Sequence, residues 1–156
     1  HLRPQYGDLA GLAFQRELEQ VARANAAGGA TAPAQRVTDF VSGRASATLP
    51  SCSFVPGIVP SRLDEWMPQF MATRLREAIR VFDKRMHGYL TSEAVVVGVE
   101  SRTSTPVRIP RDGQTLMHPD VEGLYPAGEG AGYAGGIISA ALDGERIAEQ
   151  IATYIK

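Results

Sequence analysis

The stretch "GLYPAGEGAGYAGGI", residues 123–137, constrains the architecture more than any other part of the chain, because six of its fifteen residues are glycine. So many glycines are costly to order, and they persist where backbone turns tightly or approaches something closely. A helix-forming run follows at once, "IISAALDGERIAEQIATYIK". Glycines at a helix start leave amide N–H groups uncovered at the positive end of the helix dipole. Glu129, between Gly128 and Gly130, sets one carboxylate at the mouth of that turn. A lone acceptor there suits a sugar or polyol hydroxyl and repels a phosphate. A tight turn built only for helix–sheet packing, with Glu129 in solvent, would read the same way.

Within the stretch, "GAGYAG" (Gly130 to Gly135) spells the dinucleotide fingerprint G-x-G-x-x-G. That fingerprint needs a strand before it, a helix after it, and an acidic residue about twenty positions on, at the end of a second strand. The helix is expected here, but the preceding strand is short and holds Pro126, and the sequence reaches Lys156 still within the helix. An NAD-binding protein using "GAGYAG" directly is therefore disfavoured.

The remainder divides by texture. Residues 8–27 carry Leu9, Leu12, Phe14, Leu18 and Val21 at roughly helical spacing, with Asp8 as N-cap and Gly28-Gly29 as the stop. A turn-rich passage follows, in which "RVTDFV" reads equally as a strand or a short helix. A helix is expected from Ser61, with Leu63, Trp66, Met67, Phe70, Met71, Leu75, Ile79 and Phe82 on one face packing as core. "EAVVVGVE" predicts a strand buried on both faces, which needs a covering surface from residues 1–92 or from another copy. "PVRIPRDGQTLM" predicts a hairpin turning at Asp112-Gly113. In the closing helix, Ile137, Ala141, Ile147, Ile151 and Ile155 form the expected apolar face. The division expected is a helical and irregular region at 1–92 and a strand-rich region with a final helix at 93–156.

The composition excludes some function classes. A net charge of -1 provides no basic field for nucleic acid or an anionic membrane surface. The apolar runs fall far short of a bilayer span, and no signal-peptide pattern opens the chain. The single cysteine, Cys52, cannot form an internal disulfide, which fits a reducing, cytoplasmic setting. With only Arg44 and Arg62 at a distance in the sequence, Cys52 reads as structural. His1, His87 and His118 lack ligand spacing with one another or with Cys52, so no metal is expected. The opening "HLRPQYG" has no initiator Met and reads as part of something longer.

"GLYPAGEGAGYAGGIISAALDGERIAEQI" resembles the C-terminal FAD-binding motif of two-dinucleotide-fold flavoproteins. With "FQRELEQ", "PAQRV", "FVPGIVP" and "VGVESRTSTPVRI", most of the chain is similar to the C-terminal part of the uncharacterised bacterial FAD-dependent dehydrogenases. The resemblance implies an α/β fragment: a cap or substrate region plus the C-terminal strand-turn-helix part of an FAD/NAD(P)-binding Rossmann-like domain. It implies FAD as cofactor and NAD(P)H as an electron donor. It also implies a partner in the N-terminal half of the FAD domain, whose pyrophosphate motif is missing here, so the piece alone is expected to be inactive. Gly128 and Glu129, with Gly130 beside them, match residues facing the ribityl chain. Glu129 stands where Asp is commoner. Gly132, Tyr133, Ala134, Gly135, Gly136 and Ile137 match the helix start beneath the flavin pyrimidine edge.

Arg102, Thr103 and Ser104, in the loop after the buried run, are candidates for a substrate carboxylate or the flavin surroundings, as is Arg36 in "PAQRV". A hydroxyl-rich loop satisfying its own backbone, and a surface Arg36, remain alternatives. The competing functional reading is a non-catalytic interaction module whose glycine turn is structural, and a homo-oligomer is compatible with either.

Overall fold

The computed structural model describes residues 2–102 and 104–155. Its contacts group the chain into two units, one of residues 17–99 and one of residues 1–16 with 100–156. The elements are α1 (Arg3–Tyr6), a 3-10 turn (Gly7–Leu9), α2 (Ala10–Ala24), β1 (Ala32–Arg36), α3 (Val37–Ser42), β2 (Ile58–Pro60), α4 (Leu63–Trp66), α5 (Gln69–Arg85), β3 (Val95–Val97) and α6 (Ile137–Tyr154). This is a small mixed α/β fold, as expected for an α/β fragment.

The unit of residues 17–99 is built on a three-stranded sheet of order β2-β1-β3. β1 runs parallel to β2 with Ala32 opposite Ile58, and antiparallel to β3 with Gln35 opposite Val96. The run "RVTDFV" resolves as both alternatives: β1 ends at Arg36 and α3 begins at Val37. The valine run is an edge strand with half-buried residues, contrary to the expectation of two covered faces. Its pairing with β1 occupies one edge, and no strand lies beyond it among the described residues.

The helix expected from Ser61 breaks in two. Met67 is extended (ψ 142°) because the following proline disfavours helical backbone at the residue before it, and Pro68 then opens α5. Ser61 does not cap α4; its Oγ accepts from Trp66 Nε1 at 3.0 Å. Leu63, Met67 and Ala72 join Phe40 and Val41 in the core, with Trp66, Met71 and Ile79 against it. Phe70, 65% exposed, and Leu75 and Phe82, also exposed, fall outside it. A buried polar knot lies beside this core. Asp64 accepts from Gln35 Nε2 (2.7 Å), Arg62 Nε (2.8 Å), Arg62 Nη2 (2.8 Å) and Arg76 Nη2 (3.1 Å). Hydrogen bonding from Arg62, aided by Gln35, pulls the Asp64 carboxyl below its ordinary pKa.

The second unit holds α1, the start of α2, a long irregular stretch and α6. The expected hairpin does not form a ladder. Asp112 Oδ1 instead accepts from the amides of Gln114 (2.9 Å) and Thr115 (2.7 Å), a side-chain-capped turn. Asp112 N donates across the turn to Met117 O at 2.8 Å, but farther back along that flank Ile109 N donates to Ala131 O at 3.1 Å. α6 begins at Ile137 as expected, but its buried residues are Asp143 and Ile147, while Ile137 and Ile155 are exposed.

Candidate functional site

The glycine turn is folded by its own backbone. Gly132 N donates to Glu129 O and Tyr133 N to Gly128 O, both at 2.9 Å. Gly128 (φ 62°) and Gly132 (φ 85°) adopt left-handed backbone, which a Cβ disfavours. At Gly132 space is the stricter limit, since a Cβ there would meet Val107 O at 2.8 Å. Packing therefore accounts for Gly132 without a ligand. Gly130, Gly135 and Gly136 have nothing within 3.4 Å of an added Cβ, so packing does not account for them.

Glu129 and Gly130 line a cavity of about 200 Å³ with Leu12, Gln15, Arg102, Ser104 and Thr105. Two groups of sequence candidates, the glycine-flanked carboxylate and the "SRTST" loop, thus share one cavity. Gln15 holds that loop: its Nε2 donates to Ser101 O at 2.6 Å and to Ser104 O at 3.2 Å. Residues bearing a carboxylate, a guanidinium and two hydroxyls thus border one small cavity, a mix that matches a ligand combining polyol hydroxyls with a carbonyl or acidic oxygen. The volume suits part of a cofactor, not all of it. Thr103 lies outside the described residues.

The other candidates go elsewhere. Tyr133 stacks under Arg111 (3.6 Å to the ring centroid) and Arg108 (4.2 Å), and its hydroxyl donates to Ile109 O at 2.9 Å. Ala134 is half-buried, whereas Gly135, Gly136 and Ile137 (88% exposed) face solvent at the start of α6. Gly136, at the N-cap of α6, brings no side-chain cap to that end of the helix. Arg36 belongs to the other unit, where it donates to Ser92 O and, at 3.0 Å, to Thr48 O, a bracing role for loop backbone.

Three residues here were not among the sequence candidates: Gln15, Arg111 and Asp143. Asp143 is 6% exposed, and the Arg111 side chain is 7% exposed. Arg111 grips Asp143 bidentately, Nη1 to Oδ2 at 2.9 Å and Nη2 to Oδ1 at 2.6 Å. Arg111 Nη1 also donates to Pro126 O at 2.8 Å, and Gly128 N donates to Asp143 Oδ2 at 2.8 Å. The hydrogen bonds from Arg111, then from the Gly128 amide, bring the Asp143 carboxyl down to about 2 against the opposing cost of burial. A signal existed: Asp143 lies four residues before Ile147, on the same helix face, and a carboxylate on a buried face requires a cation.

Among the described residues no cluster of His, Cys, Asp and Glu could hold a metal, and no helix is long and apolar enough to cross a membrane. Cys52, read from sequence as structural, is an exposed free thiol. His118 Nδ1 accepts from Asp120 N at 3.1 Å, ordering its own turn. Among the described residues no strand lies between β3 and the glycine turn: His118 N donates to Leu124 O at 2.8 Å within a loop, and Pro126 offers no donor.

Comparison with known proteins adds two findings. The family described as FAD-dependent protein, C-terminal domain-like, matches residues 2–103. A protein of Clostridium beijerinckii (strain ATCC 51743 / NCIMB 8052), named only as an uncharacterized protein, is 44% identical over 145 residues, covering 92% of this chain. The chain spans about a quarter of that relative's length (27%).

Proposed function

The chain belongs to the FAD-dependent protein, C-terminal domain-like family, and on that premise we propose that it forms the ribityl-facing part of the FAD site in a flavin-dependent oxidoreductase of the dehydrogenase type. The observation that carries the reading is the meeting of Glu129 and Gly130 with Arg102, Ser104 and Thr105 around one cavity. The donor set fits such a group. Glu129 would accept from a ribityl hydroxyl, while Gly130, Gly135 and Gly136 leave room for close approach. The leading amides of the 18-residue α6, at its positive end, would face a carbonyl oxygen of the cofactor. FAD, when bound, supplies the redox chemistry by accepting and passing on a hydride. The chain's own residues bind and orient it: Glu129 fixes the polyol, Gln15 holds the loop of Arg102 and Ser104, and that loop receives the reacting partner. NAD(P)H is the donor we favour, and a small organic substrate the second reactant.

In this reading the unit of residues 1–16 and 100–156 is the C-terminal portion of a Rossmann-like FAD domain. The unit of residues 17–99 is the cap. We place the boundary at about residue 100 and not at 92, because β3 pairs with β1. The N-terminal half of the FAD domain, with the pyrophosphate site, would be the partner surface, and the isolated piece would be inactive. A reducing cytoplasm suits its exposed thiol.

The test is the visible absorbance spectrum of the natural polypeptide expressed from its own start codon. A flavin spectrum that bleaches on adding NADH or NADPH supports the reading. A folded, colourless protein that ignores added FAD overturns it. It would favour the interaction module, for which the packed Gly132 is the specific observation.

A further inference from the structure

Beyond the groups that line the cavity, the structure shows how the turn carrying Glu129 is held. The amide of Gly128 donates to Asp143 Oδ2 at 2.8 Å, so it is engaged within the protein and is not a donor to a ligand. The carbonyl of Pro126, two residues earlier, accepts from Arg111 at 2.8 Å. Arg111 and Asp143 are themselves joined bidentately, and neither lines the cavity. The face of Arg111 is closed by Tyr133, whose amide returns to Gly128 O at 2.9 Å. The residues on both sides of Glu129 are thus tied to one ion pair. A guanidinium–carboxylate fork fixes direction as well as distance, which a single hydrogen bond does not.

We propose, on the flavin reading above, that Asp143 and Arg111 are positioning residues: their ion pair holds the Pro126–Tyr133 turn in the shape that presents Glu129 to the ligand. The chemistry of the arrangement is asymmetric. Glu129 contributes the contact; Asp143, fourteen positions later on α6, fixes where that contact stands. α6 then has two tasks: its N-terminus lies beside the glycines, and its second turn anchors the loop that precedes them.

The experiment has two arms. In the 156-residue chain without flavin, amide hydrogen exchange by NMR is compared between the parent and Asp143→Ala. Slow exchange at Gly128, Gly132 and Tyr133 in the parent, and fast exchange there in the variant while residues 147–152 of α6 stay protected, is the expected result. Equal exchange at the turn overturns the proposal. In the natural polypeptide, FAD affinity and the circular dichroism of bound flavin are measured for Asp143→Ala, Asp143→Asn and Arg111→Lys. Removing an outer partner of a ligand-holding group weakens binding by about 10- to 100-fold, so losses of that size with an altered flavin signal are expected for Asp143→Ala. Asp143→Asn, which keeps its shape and one acceptor for Gly128, should recover part of the affinity. A variant that melts lower yet binds FAD with parental affinity and spectrum overturns positioning in favour of plain stability. If Asp143→Ala does not fold, Asp143→Asn and Arg111→Lys decide both arms. If the parent itself binds no FAD, the flavin reading and the ligand half of the proposal fall together, and the exchange arm alone judges the clamp.

Discussion

The two units of this chain are stabilised in different ways. Residues 17–99 bury Phe40, Leu63 and Ala72 completely, and set the Asp64 knot beside them. In the other unit, the buried apolar side chains among the described residues are Leu116, Pro126, Ala131 and Ile147, and most of its length is irregular backbone tied by turns, caps and the Arg111–Asp143 pair. One is stabilised chiefly by apolar burial, the other chiefly by directional hydrogen bonding. The consequence for function is that the candidate site lies in the unit whose shape depends on individual polar groups. Burial tolerates small shifts, whereas a bidentate ion pair or a glycine against a carbonyl does not.

The strongest way to break the comparison is to empty the core of the first unit. Phe40→Ala should cost about 4 kcal/mol, the range for deleting a buried aromatic ring, read as a drop in thermal midpoint. Because the burial belongs to residues 17–99, exchange protection there should collapse first. If amides at 128–133 lose protection equally, the two units are one cooperative body and the contrast fails.

Next in size is Asp143→Ala, expected to cost about 3 kcal/mol because it leaves the buried Arg111 charge uncompensated. Its pH signature sharpens the point. A carboxyl lowered to about 2 in the folded chain contributes stability that is fully present above its unfolded value, about 3.9, and is lost as pH falls through about 2. Subtracting the urea-unfolding curve of Asp143→Asn from that of the parent isolates this group from Asp64 and Asp112, which are also lowered. The difference should be level above pH 5 and shrink toward pH 2. A difference that grows on acidification would show that Asp143 is not held ionised by Arg111.

How much of this was legible in the sequence follows the same division. α6 and the glycine turn were readable because their signals are local: six glycines, then an apolar run beginning at Ile137. β1 was not, because Pro33 argues against an inner strand. Pro33 is tolerated since it can still accept through its carbonyl, which takes Gly98 N at 3.0 Å. The hairpin closes only at the Asp112–Met117 bond and extends no further for a long-range reason, as the flank at Ile109 pairs with Ala131 and with the Tyr133 hydroxyl. At the site, Glu129 was marked by its glycine neighbours, but Arg111 and Asp143 are 32 positions apart and no local pattern joins them. The family match ends at residue 103, so the glycine turn itself was approached through resemblance and geometry.

A smaller effect is expected at Gly132. Ala there must place a Cβ 2.8 Å from Val107 O at φ 85°, so about 2 kcal/mol should be lost, with the segment at 107–108 shifting to relieve the contact. The same change at Gly135, which is open, should cost under about 1 kcal/mol. Equal losses at the two positions, measured by thermal melts, would mean that the backbone and not the close approach sets the cost.

The smallest effect on folding should come from Glu129→Ala, and it separates ligand from packing. Glu129 lines the cavity, and its backbone carbonyl, kept by alanine, is what accepts from Gly132 N at 2.9 Å. Stability should therefore stay within about 0.5 kcal/mol of the parent. In the natural polypeptide, FAD affinity should fall by about tenfold or more, since a charge-assisted hydrogen bond to a ligand hydroxyl is worth about 1.5–3 kcal/mol. Glu129→Gln retains an acceptor without the charge and should fall between the two. Full FAD binding by Glu129→Ala would leave the turn with only its structural work. The contrast would then have to be redrawn, with the directional unit built for its own shape and not for a cofactor.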